Sequence, residues 1–165
     1  MRHFQEIDSL ATGLFLKIEE KFLERAEAHG NIIAILSRSD EVRYRFATWL
    51  RELPAFVCEY SRLDQLETLL ATRGDETIGV VVNLDDYSDQ EVAQIVVELR
   101  DVYPWVGITS LSPIQGAHCF SKEESWPFDV ALSLPVDRVS LKLAIACAAD
   151  HAENAVMPYD GQSYR

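Results

Sequence analysis

Short continuous apolar runs alternate with amphipathic stretches five times between residues 32 and 152, and this rhythm constrains the chain more than any other feature. The runs occupy residues 32–36, 55–58, 78–82, 105–108 and 130–132. A run without polar alternation suits a strand covered on both faces. Strands separated by helices build parallel βαβ units with right-handed crossovers.

The intervening stretches carry helix signals. Ser39 opens one with Val42, Phe46, Trp49, Leu50 and Leu53 inward and Pro54 as its stop. Ser61-x-x-Asp64 resembles a capping box before Leu63, Leu66, Leu69 and Leu70, and Gly74 marks the end. Ser88-x-x-Glu91 is a full capping box before Val92, Ile95, Val96 and Leu99. The stretch from Pro113 to Glu124 is a weak helix interrupted by Gly116, and a last helix from Asp137 presents Val139, Leu143, Ala146 and Cys147. The fold class predicted is α/β: a flavodoxin-like three-layer sandwich on a five-stranded parallel sheet. Order 2-1-3-4-5 is the common solution at this size, although periodicity alone does not fix it.

Ahead of this unit, Leu10, Leu14, Ile18, Phe22 and Ala26 recur every four residues, one face of a helix over 8–29. Asp8 or Ser9 stands at its capping position, and Gly30 suits the left-handed residue after its last turn. Phe15, Leu16 and Leu23 widen the apolar surface, so the helix is expected to pack on its own domain and on a second copy of the chain. The expected organisation is an N-terminal helical extension over 1–30, a domain over 31–154 and an irregular tail over 155–165.

Composition narrows the function. The formal net charge is −12, from 15 basic and 27 acidic residues. Binding a phosphate backbone needs clustered Lys and Arg, so no nucleic-acid partner is expected. No apolar run approaches the roughly 20 residues that span a bilayer, and the opening residues lack a secretory pattern. The expectation is a cytoplasmic protein with protein partners and no membrane. Cys58, Cys119 and Cys147 form no C-x-x-C pair; Cys58 and Cys147 read as buried thiols. His3, His29, His118 and His151 are scattered, and no glycine loop cradles phosphate, so neither metal nor cofactor is expected. Tyr103, Trp105, Trp126 and Phe128 border the fourth and fifth runs, as core or as a protein-binding patch.

Residues 32 to about 152 resemble the receiver domain of two-component response regulators. IIAILSRSDEVRYRFATWL follows the family's first strand, acidic pair and helix without a gap, Ile108-Thr109-Ser110 its fourth strand end, and Leu134-Pro135 its Lys-Pro. The departures matter more. The family's magnesium-binding acidic pair falls on Ser37 and Arg38, its phosphoacceptor Asp on Asn83, and its Lys on Leu134; Thr109 and Pro135 remain. Hard cations prefer carboxylates, and an amide is a poor nucleophile. The resemblance therefore implies a degenerate pocket, a non-catalytic regulatory protein and signalling by contact. In a shifted register Asp85 or Asp40 enters the pocket, making Asp85 a residual phosphoacceptor. A third reading is a non-receiver flavodoxin-like module, such as the N-terminal wing domain of some decarboxylases.

Overall fold

A computed structural model describes residues 2–156. Helix α1 (Arg2–His29) is followed by β1 (Ile32–Leu36), α2 (Asp40–Leu50), β2 (Phe56–Tyr60) and α3 (Leu63–Arg73). Then come β3 (Thr77–Asn83), α4 (Asp89–Val102), β4 (Gly107–Ser112), α5 (Lys122–Ser125), β5 (Val130–Ser133) and α6 (Arg138–Val156). The five strands form one parallel sheet in the order β2-β1-β3-β4-β5, the predicted order.

Every residue of β1, β3 and β4 is buried, as strands covered on both faces require. One face holds Ile33, Ile35, Val81, Leu111 and Leu132 against α2, α6 and the α1 residues Ile18 and Phe22. The other holds Ala34, Leu36, Val80, Val82 and Ile108 against Leu66 and Leu70 of α3 and Ile95 and Leu99 of α4. The pairing of β1 with β3 slips by one residue between Ile32 and Ile33. The extra residue, Ile78, turns to the same face as Val81.

Two glycines permit close approaches. Gly30 has φ 98, and a Cβ there would lie 2.8 Å from the Glu76 backbone. At Gly107 a Cβ would lie 2.4 Å from the carbonyl carbon of Ala148, so the α6 backbone rests directly on β4. The inward face of α6 is accordingly Leu141, Ala144, Ile145 and Ala148, all at most 1% exposed. Val139, Leu143 and Cys147, expected inward, are only half-buried, while Ala146 is buried as expected.

Other local expectations shift. Helix α1 starts at Arg2, so neither Asp8 nor Ser9 caps it; the expected side-chain roles of Leu10, Leu14 and Phe15 lie outside the described residues. Helix α2 ends at Leu50, ahead of Pro54, and β2 runs from Phe56 to Tyr60 rather than over 55–58. Arg62, not Ser61, precedes α3, and the Gln65 side-chain oxygen Oε1 accepts from the backbone N–H groups of both, at 3.2 Å from Ser61 and 3.1 Å from Arg62. Strand β4 begins at Gly107, since Trp105 stacks on His29 and donates its indole N–H to the Gly74 carbonyl at 3.3 Å. It continues to Ser112, beyond the strand end expected at Ile108-Thr109-Ser110. Between β4 and β5 only α5 is helical, and Cys119 bridges antiparallel to Ala131 through two backbone hydrogen bonds of 2.7 and 2.9 Å. Helix α6 runs to Val156, into the stretch expected to be irregular; residues 157–165 lie outside the described residues. No described helix is long and apolar enough to cross a membrane.

Polar ties fix the layers. Asp129, fully buried, accepts from the Ile108 N–H at 2.8 Å and pairs with Arg100 at 3.1 Å, joining β4, the start of β5 and α4. Arg25, 9% exposed, pairs with Asp150 at 3.2 Å and with Glu153, clamping α1 to α6. Gly107→Ala should cost about 1–3 kcal/mol, because a methyl group forces α6 off the sheet. Gly116→Ala, with nothing within 4 Å of its Cβ, should be close to neutral. Urea denaturation of both variants checks the contrast.

Candidate functional site

In open parallel sheets, ligand sites form at the carboxyl ends of strands where the strand order reverses. Here that point lies between β1 and β3, and polar side chains meet there. Ser37, fully buried, follows β1. Its hydroxyl donates to Asp86 Oδ2 at 2.9 Å, and accepts from the Ser39 N–H at 3.1 Å and from Asn83 Nδ2 at 3.3 Å. The Arg38 N–H donates to the same Asp86 oxygen at 2.8 Å. Arg43, one turn into α2, donates to the Ser37 carbonyl and pairs with Asp40. Ser39 caps α2 by accepting from the Val42 N–H at 3.2 Å.

The arrangement brings Ser37, Arg38 and Asn83 together with Asp86, not with Asp85. A single 3-10 turn over Leu84–Asp86 follows β3; it leaves Asp85 exposed and turns Asp86 back over β1. Asp40 is also outside, with its side chain 93% exposed. Thr109 lies abreast of Val81, one rung below Asn83, and Leu111 is the residue beside Asn83. The expectation of Thr109 at the strand end is therefore corrected: β4 extends beyond it. Leu134 is half-buried on the core, its N–H donating to the Ser112 carbonyl at 3.0 Å, and Pro135 is exposed. Asn83 Oδ1 and Thr109 Oγ1 are buried without a partner among the described residues.

The Arg38 guanidinium stands 5.0 Å from the centre of the Tyr87 ring, an attraction between a cation and a π face. Tyr87 donates its hydroxyl to the Ser61 carbonyl at 2.8 Å. Burial, and next the negative charge of Asp86, push the Tyr87 phenol up to about 12.

Magnesium, which receivers hold at this point, needs about six oxygens with carboxylates among them. This cluster offers one carboxylate, and the Ser37 hydroxyl and Arg38 N–H already point protons at one of its oxygens. The residues present do not fit the ion. Among the described residues no group of three His, Cys, Asp or Glu side chains is placed to hold a metal. His118 Nδ1 lies 3.0 Å from the Ser133 N–H and His151 Nδ1 3.1 Å from the Asp129 carbonyl, so both rings serve the local backbone. The His3 side chain lies outside the described residues. The three cysteines are half-buried rather than buried.

Tyr103 and Trp105 pack edge to face at 5.8 Å, whereas Trp126 is 65% exposed with Arg100 over its ring at 5.6 Å. Beside it Val92, Val96, Val97, Pro127 and Phe128 line an apolar groove of about 400 Å³. It is open because the connection from β4 to β5 holds only the four-residue α5.

No protein-family model matches the chain, and no curated protein matches it. Crystal structures of receiver domains do. The signal receiver domain of an HD domain-containing protein from Pseudomonas fluorescens Pf-5 is 19% identical, with a TM-score of 0.60, over 75% of this chain and 98% of the other. A response regulator receiver domain protein from Clostridium thermocellum is 15% identical, with a TM-score of 0.58, over 77% and 99%. A response regulator receiver protein from Burkholderia phymatum is 11% identical, with a TM-score of 0.54, over 70% and 94%. The fold is that of a receiver domain.

Sequence spacing put Asp85 rather than Asp86 forward as the acid that enters the pocket, and it missed Arg43. The capping box at Ser88 was the available signal, since it sets where α4 starts and so how tightly residues 84–86 must turn. Asp86→Ala, which frees the Ser37 hydroxyl and the Arg38 N–H, should lower stability by about 1–3 kcal/mol. Asp85→Ala should stay within about 0.5 kcal/mol of the parent; chemical denaturation separates the two. Tyr87 holds its proton more tightly folded than at the ordinary value of 10.0. Its neutral form thus contributes stability that is complete below pH 10 and lost as pH rises through about 12. Tyr87→Phe should flatten that alkaline fall in unfolding free energy.

Proposed function

We propose that this chain is a signalling module of receiver type that regulates a partner protein by direct contact in the cytoplasm, without phosphorylation and without catalysis. One observation carries the reading: the carboxylate at the switch point, Asp86, is engaged by the Ser37 hydroxyl and the Arg38 N–H. Phosphoryl transfer to a receiver needs a nucleophilic carboxylate, a metal ion and a cation over the transferred group. Asn83 supplies an amide in place of the first, Ser37 and Arg38 replace the ligands of the second, and Leu134 replaces the third.

The same hydrogen bonds hold the β1–α2 and β3–α4 loops together without any added group. The surface near the sheet's carboxyl edge is therefore a constant one, suited to a partner that reads the presence of this protein rather than its modification state. The purified chain, incubated with acetyl phosphate and magnesium, should retain its unmodified intact mass, and millimolar magnesium should leave the melting temperature unchanged. A modified species that disappears on Asp85→Asn would overturn the proposal and establish Asp85 as a phosphoacceptor.

A further inference from the structure

Helix α1 has two unlike faces. Inward, Ile18 and Phe22 enter the core, 2% and 1% exposed, and Arg25 is held by Asp150 and Glu153 of α6. Outward, Leu16 and Leu23 lie two turns apart on one line of the helix, 61% and 52% exposed. Glu19, Glu20, Glu24 and Glu27, all exposed, stand along both sides of that line. Of the two flanking cations, Lys17 is exposed and Lys21 is drawn toward Asp150 at 3.6 Å, so glutamates outnumber lysines four to two along this face. An apolar seam with charged flanks is the pattern by which helices select partners, the flanks setting which partner is accepted.

We infer that the outer face of α1 docks a cationic amphipathic helix of a partner protein, its apolar residues meeting Leu16 and Leu23 and its Lys or Arg side chains pairing with the four glutamates. Charge complementarity selects this occupant. A second copy of the chain would bring an identical acidic row against the first, and like charges facing across a helix pair oppose association. A helix whose inner face is fixed by two buried apolar side chains, Ile18 and Phe22, and by the pairing of Arg25 with α6 is a rigid platform, so docking needs no rearrangement behind it. The inference rests on the reading that this chain acts through protein contact, and it is independent of the state of the Asn83 cluster.

The test titrates the full chain with a synthetic three-heptad peptide bearing Leu at core positions and Lys at the flanks, followed by fluorescence anisotropy at low and moderate salt. The expected result is binding that weakens with salt. It should also fall at least about tenfold in Leu16→Ala/Leu23→Ala and in the variant with all four glutamates changed to Gln. A control variant changing Asp75, Asp85, Asp89 and Asp101 to Asn should bind like the parent. Hydrogen exchange on the unsubstituted chain supplies a readout free of folding defects: the peptide should slow exchange across residues 16–27 and leave the strand ends unchanged. Absence of binding, equal loss in the control variant, or protection elsewhere would overturn the inference. So would sedimentation showing a dimer that Leu16→Ala/Leu23→Ala abolishes, since a second copy would then cover the seam. Failure here together with an unmodified mass in acetyl phosphate would remove the docking face alone. Binding together with a phosphorylated species would remove only the phosphorylation-independent reading.

Discussion

The whole architecture depends on the burial of the central strands from both sides. β1 and β3 have no exposed residue, so each face of the sheet needs its own helical layer. With about 25 cal/mol gained per Å² of apolar surface removed from water, these strands form a stable sheet only once α2 and α6 cover one face and α3 and α4 the other. The crossovers follow, because parallel strands need a connection that returns over the sheet, which is a full helix everywhere except between β4 and β5, where only the four-residue α5 is helical. The body of β1 carries no polar side chain and that of β3 only Thr77 at its start, so the polar groups of these two strands collect where they end. Ser37, Asn83 and Asp86 meet there as a consequence of the layering.

That collecting point is closed by the chain itself. The Ser37 hydroxyl donates to Asp86 while accepting from Ser39 and Asn83, which uses its full hydrogen-bonding capacity. A receiver-like sheet has thus kept the loops of a ligand site and filled the centre with its own carboxylate.

Charge is distributed with the same economy. The least exposed cations, Arg25, Arg43, Arg100 and Lys142, are each paired with a carboxylate, Asp150, Asp40, Asp129 and Glu52 respectively. The hydrogen bond from Lys142 holds the Glu52 carboxyl below its ordinary range. Acidic residues are in excess by 12, and with these cations turned inward the outer surface is more acidic than composition alone conveys.

The sequence by itself determined the sheet, its strand count and the helices between strands, because a chain that alternates fully apolar runs with 3.6-residue periodicity has few ways to bury both. It also located Ser37, Arg38, Asn83 and Leu134 at strand ends, and the caps at Ser39 and Ser88, since these are local chemistry. Tertiary structure alone decided which acid reaches the cluster. Asp85 and Asp86 are neighbours with the same chemistry, and only the 3-10 turn squeezed between β3 and the capped start of α4 turns one outward and the other over Ser37. It also decided that Thr109 lies inside β4, because strand length is set by pairing with β3 and β5 rather than by β propensity. Likewise the inward face of α6 was set by its contact with Gly107: the helix backbone at Ala148 rests on β4, which turns Leu141, Ala144, Ile145 and Ala148 inward rather than Val139, Leu143 and Cys147.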